Sequence, residues 1–411
     1  MVMPKGYKKT EIGIIPENWE IGTVESFGSI VSGGTPSTTN DLYWNGNIRW
    51  CTPTDIKATT TPKISHTQKH ITEKGLADSS AVLLPINSIM ICTRATIGEI
   101  RINGLPMATN QGFKNIIVKN GDYLYLYYIL TTKKQKMIKL SYGTTFLELS
   151  KKALCTIPIQ IPKTSEQHAI STALYDIDIL IDNLEKLISK KKNIKQGAMQ
   201  ELLTAKRRLP GFDGEWTVKS IGESGHLCKE TVNPQSSPLV FFCEYSMPAF
   251  DVGKKPIMRY GSEMHSNRTV ISGNVLLFNK LNVRQKRIWL INAEKENSVC
   301  SSEFLAYYSD QIDLLYLNYL LNTNEVTKDF IDSSTGTSNS QKRITPNTFL
   351  SYSITVPSDI EEQTAIASIL SDMDNEIEEL EKKLAKYRCI KQGMMSELLS
   401  GHIRLTEKEG A

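Results

Sequence analysis

Apolar side chains recur along two stretches of the chain in alternating steps of four and three. In the first they are Ile170, Leu174, Ile177, Ile181, Leu184 and Ile188; in the second, Ile366, Leu370, Met373, Ile377, Leu380, Leu384 and Tyr387. That spacing is a heptad seam, the mark of a helix that lays one apolar stripe against another helix. Continued to the Leu-Leu pairs at 202–203 and 398–399, each helix would be about 50 Å long at a rise of 1.5 Å per residue. Elsewhere the apolar runs are short and broken by Gly, Pro and Thr, which predicts strands and turns. Ser88 to Cys92 reads as a buried strand that delivers Thr93 and Arg94 to a loop, and Tyr123 to Leu130 as a helix. Ile157-Pro158-Ile159-Gln160-Ile161-Pro162 closes this part of the chain, and Thr164 with Gln167 has the spacing of a capping box for the first long helix. Ser32-Gly33-Gly34-Thr35-Pro36-Ser37 reads as a plain turn, with Trp44 and Trp50 as core anchors.

The two seams belong to one internal repeat. Residues 166–203 and 362–399 align without a gap at 20 identical positions of 38, from Glu-Gln at the start to Gln-Gly-x-Met-x-Glu-Leu-Leu at the end. The period is far longer than that of solenoid repeats, so each copy closes off a whole domain. Gly214-Glu215-Trp216 echoes Glu17-Asn18-Trp19, and Ile403-Arg404-Leu405 echoes Arg207-Arg208-Leu209. The predicted division is therefore 1–163, a domain with its opening segment; 164–205, a long helix; 206–358, a second domain with its linker; and 359–411, a second long helix and tail. Asn274 to Lys280 answers the strand ending at Thr93-Arg94, Leu317 to Leu321 answers Leu126 to Leu130, and Gly336-Thr337 answers Gly143-Thr144. Apolar and turn positions correspond while most polar residues differ, which suggests two related sites that read different things. The expected fold is α/β (α+β): two globular α/β domains separated by a pair of long coiled-coil helices, pseudo-two-fold and near-circular, with the termini close together.

Charge decides how the helices pair. Asp176, Asp178, Asp182 and Glu185 precede Lys186, Lys190, Lys191, Lys192 and Lys195; Asp372, Asp374, Glu376, Glu378, Glu379 and Glu381 precede Lys382, Lys383, Lys386, Arg388 and Lys391. Acid-first order suits each helix's own dipole. Parallel packing would also set acid against acid, whereas antiparallel packing opposes each acidic half to the other's basic half. Antiparallel pairing within one chain is the expectation, with the neighbourhood of Asp176 close to that of Lys391.

Composition narrows the function classes. The 411 residues, 40% hydrophobic and 22% charged, suit a two-domain soluble protein, and no apolar run approaches the roughly 18 residues a bilayer span needs. With no secretory signal either, a cytoplasmic protein is expected. The cysteines at 51, 92, 155, 228, 243, 300 and 389 form no Cys-x-x-Cys pair, and His66 and His70 share helical metal-ligand spacing without a third ligand, so no metal is expected. A net charge of +4 permits nucleic acid as a partner without requiring it. The chain has no Gly-x-Ser-x-Gly elbow, Walker loop or Gly-x-Gly-x-x-Gly, and Asn233-Pro234-Gln235-Ser236 fails the Asn/Asp-Pro-Pro-Tyr/Phe pattern of amino-methyltransferases at its last two positions.

Read with its order and duplication, the chain closely resembles the specificity subunit of type I restriction-modification systems. The resemblance rests on Tyr7 to Trp19, on Ser32 to Ser37 with Trp44 and Trp50, and on both Glu-Gln to Glu-Leu-Leu helices. It implies two target-recognition domains, each binding one half of a bipartite double-stranded DNA sequence, with the helices as spacer and no catalysis or cofactor of its own. It implies two methyltransferase subunits that modify adenine with S-adenosylmethionine, and restriction subunits using ATP and Mg that can join the complex. Base and phosphate contacts are expected from polar and basic residues on loops: Lys57, Arg94, Thr96, Gln111, Lys114 and Thr144 in the first domain, and Lys280, Asn282, Arg284, Lys286, Ser340, Lys342 and Arg343 in the second. Partner docking is expected on the repeated helix ends, at Gln196, Gly197, Met199, Leu202, Leu203, Gln392, Gly393, Met395, Leu398 and Leu399. The competing class is a non-catalytic protein-binding adaptor with two domains on a coiled spacer; loss of DNA affinity with salt separates the two.

Overall fold

The computed structural model describes residues 5–143, 147–336 and 342–406. Two compact units divide it: one from Met1–Ile188 with Leu380–Ala411, the other Ser189–Glu379. The boundary falls inside both long helices, Thr164–Leu202 and Ile360–Ser400. Each unit therefore holds one α/β body, the first part of one long helix and the last part of the other.

In the first unit a five-stranded sheet runs in the order Gly28–Ser32, Phe113–Val118, Ile89–Cys92, Ile100–Asn103, Lys63–Ile64. Ile89–Cys92 is buried along its whole length because neighbouring strands and packed side chains enclose it. The helix Tyr123–Thr132 covers this sheet and buries Tyr125, Tyr127 and Tyr128. A smaller sheet joins Met107–Thr109, Trp44–Cys51 and Lys69–Ile71. His70 lies on that last strand, so the helical His66/His70 spacing never arises. Trp50 is buried and Trp44 half-buried, edge to face at 5.0 Å. Their indole N–H groups donate to the carbonyls of Gly34 and Ser37, so the two rings staple the glycine turn down. Gly33 is required there: a Cβ would stand 1.9 Å from the Asn110 carbonyl oxygen.

The second unit repeats the frame. Its four-stranded sheet is ordered His226–Leu227, Phe304–Tyr308, Gly273–Asn279, Ile288–Ala293, and the helix Leu314–Leu321 packs on it. Phe304 lies opposite Asn279 as Phe113 lies opposite Cys92. Asp313 caps its helix through the Tyr316 N–H as Asp122 does through Tyr125. A second sheet, of five strands, runs Thr231–Val232, Arg268–Val270, Ser298–Ser301, Phe241–Tyr245, Ile257–Tyr260.

The repeated Glu-Gln pairs fasten each body to its helix. Glu166, 3% exposed, accepts two hydrogen bonds from the Arg404 guanidinium, at 2.6 and 2.8 Å, and a third from the Trp19 indole at 3.0 Å. Glu362 receives Arg208 in the same two-pronged way at 2.7 and 2.8 Å, with Trp216 beside the guanidinium. Next in sequence, Gln167 accepts from the Asp122 N–H and donates to the Pro162 carbonyl, and Gln363 does so with Asp313 and Pro357. Gln167 is thereby spent on these partners, so the capping box expected with Thr164 does not form.

Within each unit the helices run antiparallel. In the first, Glu166, Asp178 and Glu185 meet Arg404, Lys391 and Arg388 in turn; in the second, Lys191, Lys195 and Arg208 meet Glu376, Asp374 and Glu362. Asp178 and Asp374 hold equivalent places, each taking a lysine at 2.5 Å and a tyrosine hydroxyl, from Tyr128 at 2.7 Å and Tyr319 at 2.8 Å. The seam serves two purposes. Ile170, Leu174, Ile366 and Leu370 are sunk in the cores of the α/β bodies. Farther along, Ile177, Leu184, Ile188, Ile377 and Leu384 are buried, while Ile181, Met373, Leu380 and Tyr387 are half-buried. The Tyr7 hydroxyl donates to the Gly401 carbonyl at 2.9 Å, which brings the two ends of the described chain together in the first unit.

One expectation needs correcting. Leu202, Leu203, Leu398 and Leu399 are core residues, 2–5% exposed, and cannot offer a docking face. Met199 and Met395 are half-buried against the same cores. The Leu-Leu ends repeat because each closes a body's core.

Candidate nucleic-acid interface

Three chain segments converge at one end of the two central strands Ile89–Cys92 and Phe113–Val118 of the first unit's sheet. Ile89–Cys92 ends at Thr93, whose N–H donates to the Gly112 carbonyl at 2.8 Å, and Leu149 N–H donates to the Thr93 carbonyl at 3.0 Å. This ties the segment after Ile89–Cys92, the start of Phe113–Val118 and the segment before the helix Lys151–Cys155 into one locus. Arg94, Lys114 and Glu148 meet there. Arg94 Nη2 lies 2.7 Å from Glu148 Oε2, and Lys114 Nζ lies 3.5 Å from Oε1. Burial alone would raise the Glu148 pKa, but the hydrogen bond and charge of Arg94, with the charge of Lys114, outweigh it and hold the carboxyl below its usual range. Ala95 turns the chain with φ of 53°, and a recess of about 660 Å³ opens beside it, lined by Lys57, Thr96, Lys134 and Leu147 among others. The Thr96 hydroxyl is buried beside the Cys92 thiol.

The expected residues divide accordingly. Arg94 and Lys114 share one carboxylate, while Lys57 and Thr96 line the recess next to them. Gln111 is exposed and accepts from the Thr35 hydroxyl. Thr144 lies outside the described residues.

The second unit builds the same locus with other charges. Lys280 N–H donates to the Glu303 carbonyl and Ile344 N–H to the Lys280 carbonyl. Arg343 therefore stands where the first unit has Glu148, and Glu303 stands where it has Gly112. Arg343 Nη2 is 2.8 Å from Glu303 Oε1, and Glu303 Oε2 is buried without a partner. Asn282, with φ of 54°, donates its N–H to the Lys342 carbonyl, which keeps Lys280, Asn282, Lys342 and Arg343 together. Arg284 is exposed on the next turn. Lys286 is engaged within the unit: its ammonium donates to the Asn322 carbonyl and to Asn324 Oδ1, each at 2.8 Å, and burial lowers its pKa. It braces the turn between the helices Leu314–Leu321 and Asn324–Asp332. Ser340 lies outside the described residues. Glu148 and Glu303 escaped sequence reasoning because an acid is the wrong sign for a phosphate contact; only their cationic neighbours reveal them.

The family described as "Type I restriction modification DNA specificity domain" matches residues 16–196 and 251–386. This chain belongs to that family. The type I restriction enzyme MjaIX specificity subunit of Methanocaldococcus jannaschii is 38% identical over 183 residues, 44% of this chain. This match spans only 42% of that relative's length. The MjaVIII specificity subunit of the same organism is 24% identical over 95% of this chain and 94% of its own. In fold, the type I S subunit from M. genitalium superposes with a TM-score of 0.61 at 15% identity, covering 93% of this chain and 96% of that one. Both stretches matched by the specificity family reach into a seam helix, and each includes the strand that leads into its charged locus. Among the described residues no helix is long and apolar enough to cross a membrane, and no cluster of three or more His, Cys, Asp or Glu could hold a metal.

Proposed function

We propose that the chain is the DNA-reading subunit of a type I restriction-modification complex, recognising a bipartite duplex with one domain per half. Residues 1–163 and 206–358 would be the readers, and the helices at 164–205 and 359–411 the spacer. The observation that carries this reading is the duplicated locus: one backbone arrangement, with Arg94, Lys114 and Glu148 in the first copy and Lys280, Glu303 and Arg343 in the second. A constant scaffold with exchanged polar residues is what reading two different half-sites requires. The chain supplies recognition; adenine methylation with S-adenosylmethionine belongs to two methyltransferase partners, and ATP- and Mg-dependent cleavage to restriction subunits, in the cytoplasm where the chromosome lies. Mapping methylated adenines in the host genome with and without this gene tests it: one split motif should vanish, and an unchanged set of motifs would sink the reading.

Docking of the methyltransferases falls on the surface around Gly197 and Gly393, together with exposed Gln196 and Gln392. A Cβ at either glycine would meet nothing within 4 Å. No internal packing calls for glycine, although each costs about 0.5–1 kcal/mol relative to alanine in a helix. Exposed Ile194 and Ile390 stand one turn before them. Close approach by an identical partner at each copy accounts for both. Gly197→Arg with Gly393→Arg should leave the fold intact and abolish copurification of the methyltransferase; full retention would remove these positions from the interface.

A further inference from the structure

Glu148 lies between the two cations of the first locus. Its backbone is fixed by paired hydrogen bonds with Tyr142, N–H to carbonyl at 3.0 Å and the reverse at 3.2 Å. Its two oxygens face different cations, Arg94 and Lys114. Arg94 is 46% exposed, so its guanidinium is free to exchange one acceptor for another, while Lys114 is held inside on its strand. Neutralising a buried lysine would be reason enough for this acid. The second unit argues against that as the whole explanation. Leu305 occupies the place of Lys114, so no buried lysine needs a counter-ion, yet an acid again covers an exposed arginine. The acid there comes from a different segment: Glu303 precedes the strand, whereas Glu148 follows the helices. One arrangement has thus been reached by two different sets of residues.

We propose that Glu148 and Glu303 are selectivity gates that compete with DNA for the exposed arginines Arg94 and Arg343. The proposal rests on the DNA-reading function above. A carboxylate and a phosphate are similar acceptors for a guanidinium. Trading one for the other gains little, so random sequence cannot recruit these cations at full strength. A guanine edge offers O6 and N7 to one arginine in a bidentate geometry; being neutral, it displaces the acid only where the other contacts of the recognised sequence hold the duplex in register. The carboxylate then remains beside the duplex and repels any backbone that approaches without that contact.

The test compares binding of the full chain, assembled with its methyltransferase partners, to a duplex carrying the mapped motif and to a random duplex of equal length. Glu148→Gln should raise affinity for the random duplex by about tenfold and for the motif by less, and should steepen the salt dependence by about one released counterion. Genome methylation by the variant should spread to near-cognate sites in the first half of the motif only. Glu303→Gln should do the same for the second half, and it provides the test should Lys114 unfold the first variant. A folded Glu303→Gln variant with unchanged random-duplex affinity and salt slope would overturn the proposal, as would equal losses on both duplexes. If the wild-type complex fails to discriminate between the duplexes, the DNA-reading function itself falls; if it discriminates and neither glutamate matters, only the gate does.

Discussion

Glu166 and Glu362 each fasten a segment outside the repeat to the start of a long helix. Each is almost wholly buried and holds an arginine from outside its own helix: Arg404 from the tail, Arg208 from the linker. A buried pair of this kind adds little net stability when formed, because desolvation opposes the attraction, but breaking it strands a charge. Glu362→Ala should destabilise the protein by about 3 kcal/mol in chemical denaturation, the low end of the range because Arg208 is 30% exposed. Replacing both members together, Glu362→Leu with Arg208→Met, should recover most of that loss. If the double variant is as unstable as the single one, stranding of the arginine is not the cause.

At the scale of elements, the two long helices end differently at equivalent positions. Gly401 follows the second helix with φ of 77°, its N–H bonded to the Leu398 carbonyl at 3.2 Å, the left-handed close that glycine favours. The first helix closes with Ala205 at φ of 58°, where a Cβ is unfavourable by roughly 1 kcal/mol or more. Ala205→Gly should therefore stabilise by about 1 kcal/mol, read as a higher melting temperature. Gly401→Ala should destabilise by more, since its Cβ would also stand 2.6 Å from Pro16. Much of this scale was legible in the chain. Heptads disclosed the helices, charge order gave their antiparallel sense, and the run Ile89 to Cys92 disclosed its strand. What stayed hidden depends on contacts distant in sequence. The Leu-Leu ends looked like a docking face because a buried and an exposed repeat read alike until the core around them is known. Gln167 has capping-box spacing, yet Asp122 and Pro162 claim its amide. Lys286 reads as a surface cation, and only the turn at Asn322 explains where its ammonium goes.

For the whole molecule, the duplication makes the two loci separable. Each lies within its own unit, with Arg94 tied to Glu148 in one and Arg343 to Glu303 in the other, so removing one arginine leaves the other locus untouched. Sites that share no partner contribute additively. Arg94→Ala should weaken binding to the motif, relax preference in one half of it by about 1–3 kcal/mol and leave the other half read as before. Arg343→Ala should do the converse, and the double variant should show the sum of the two losses. Binding series on duplexes substituted in one half at a time measure this directly. An arginine bound to phosphate instead of a base would betray itself in the same series: its loss lowers affinity evenly across all sequences and reduces the salt slope by about one. Relaxation of both halves by Arg94→Ala alone would mean that the half-sites are read jointly, against the independence that two self-contained loci imply.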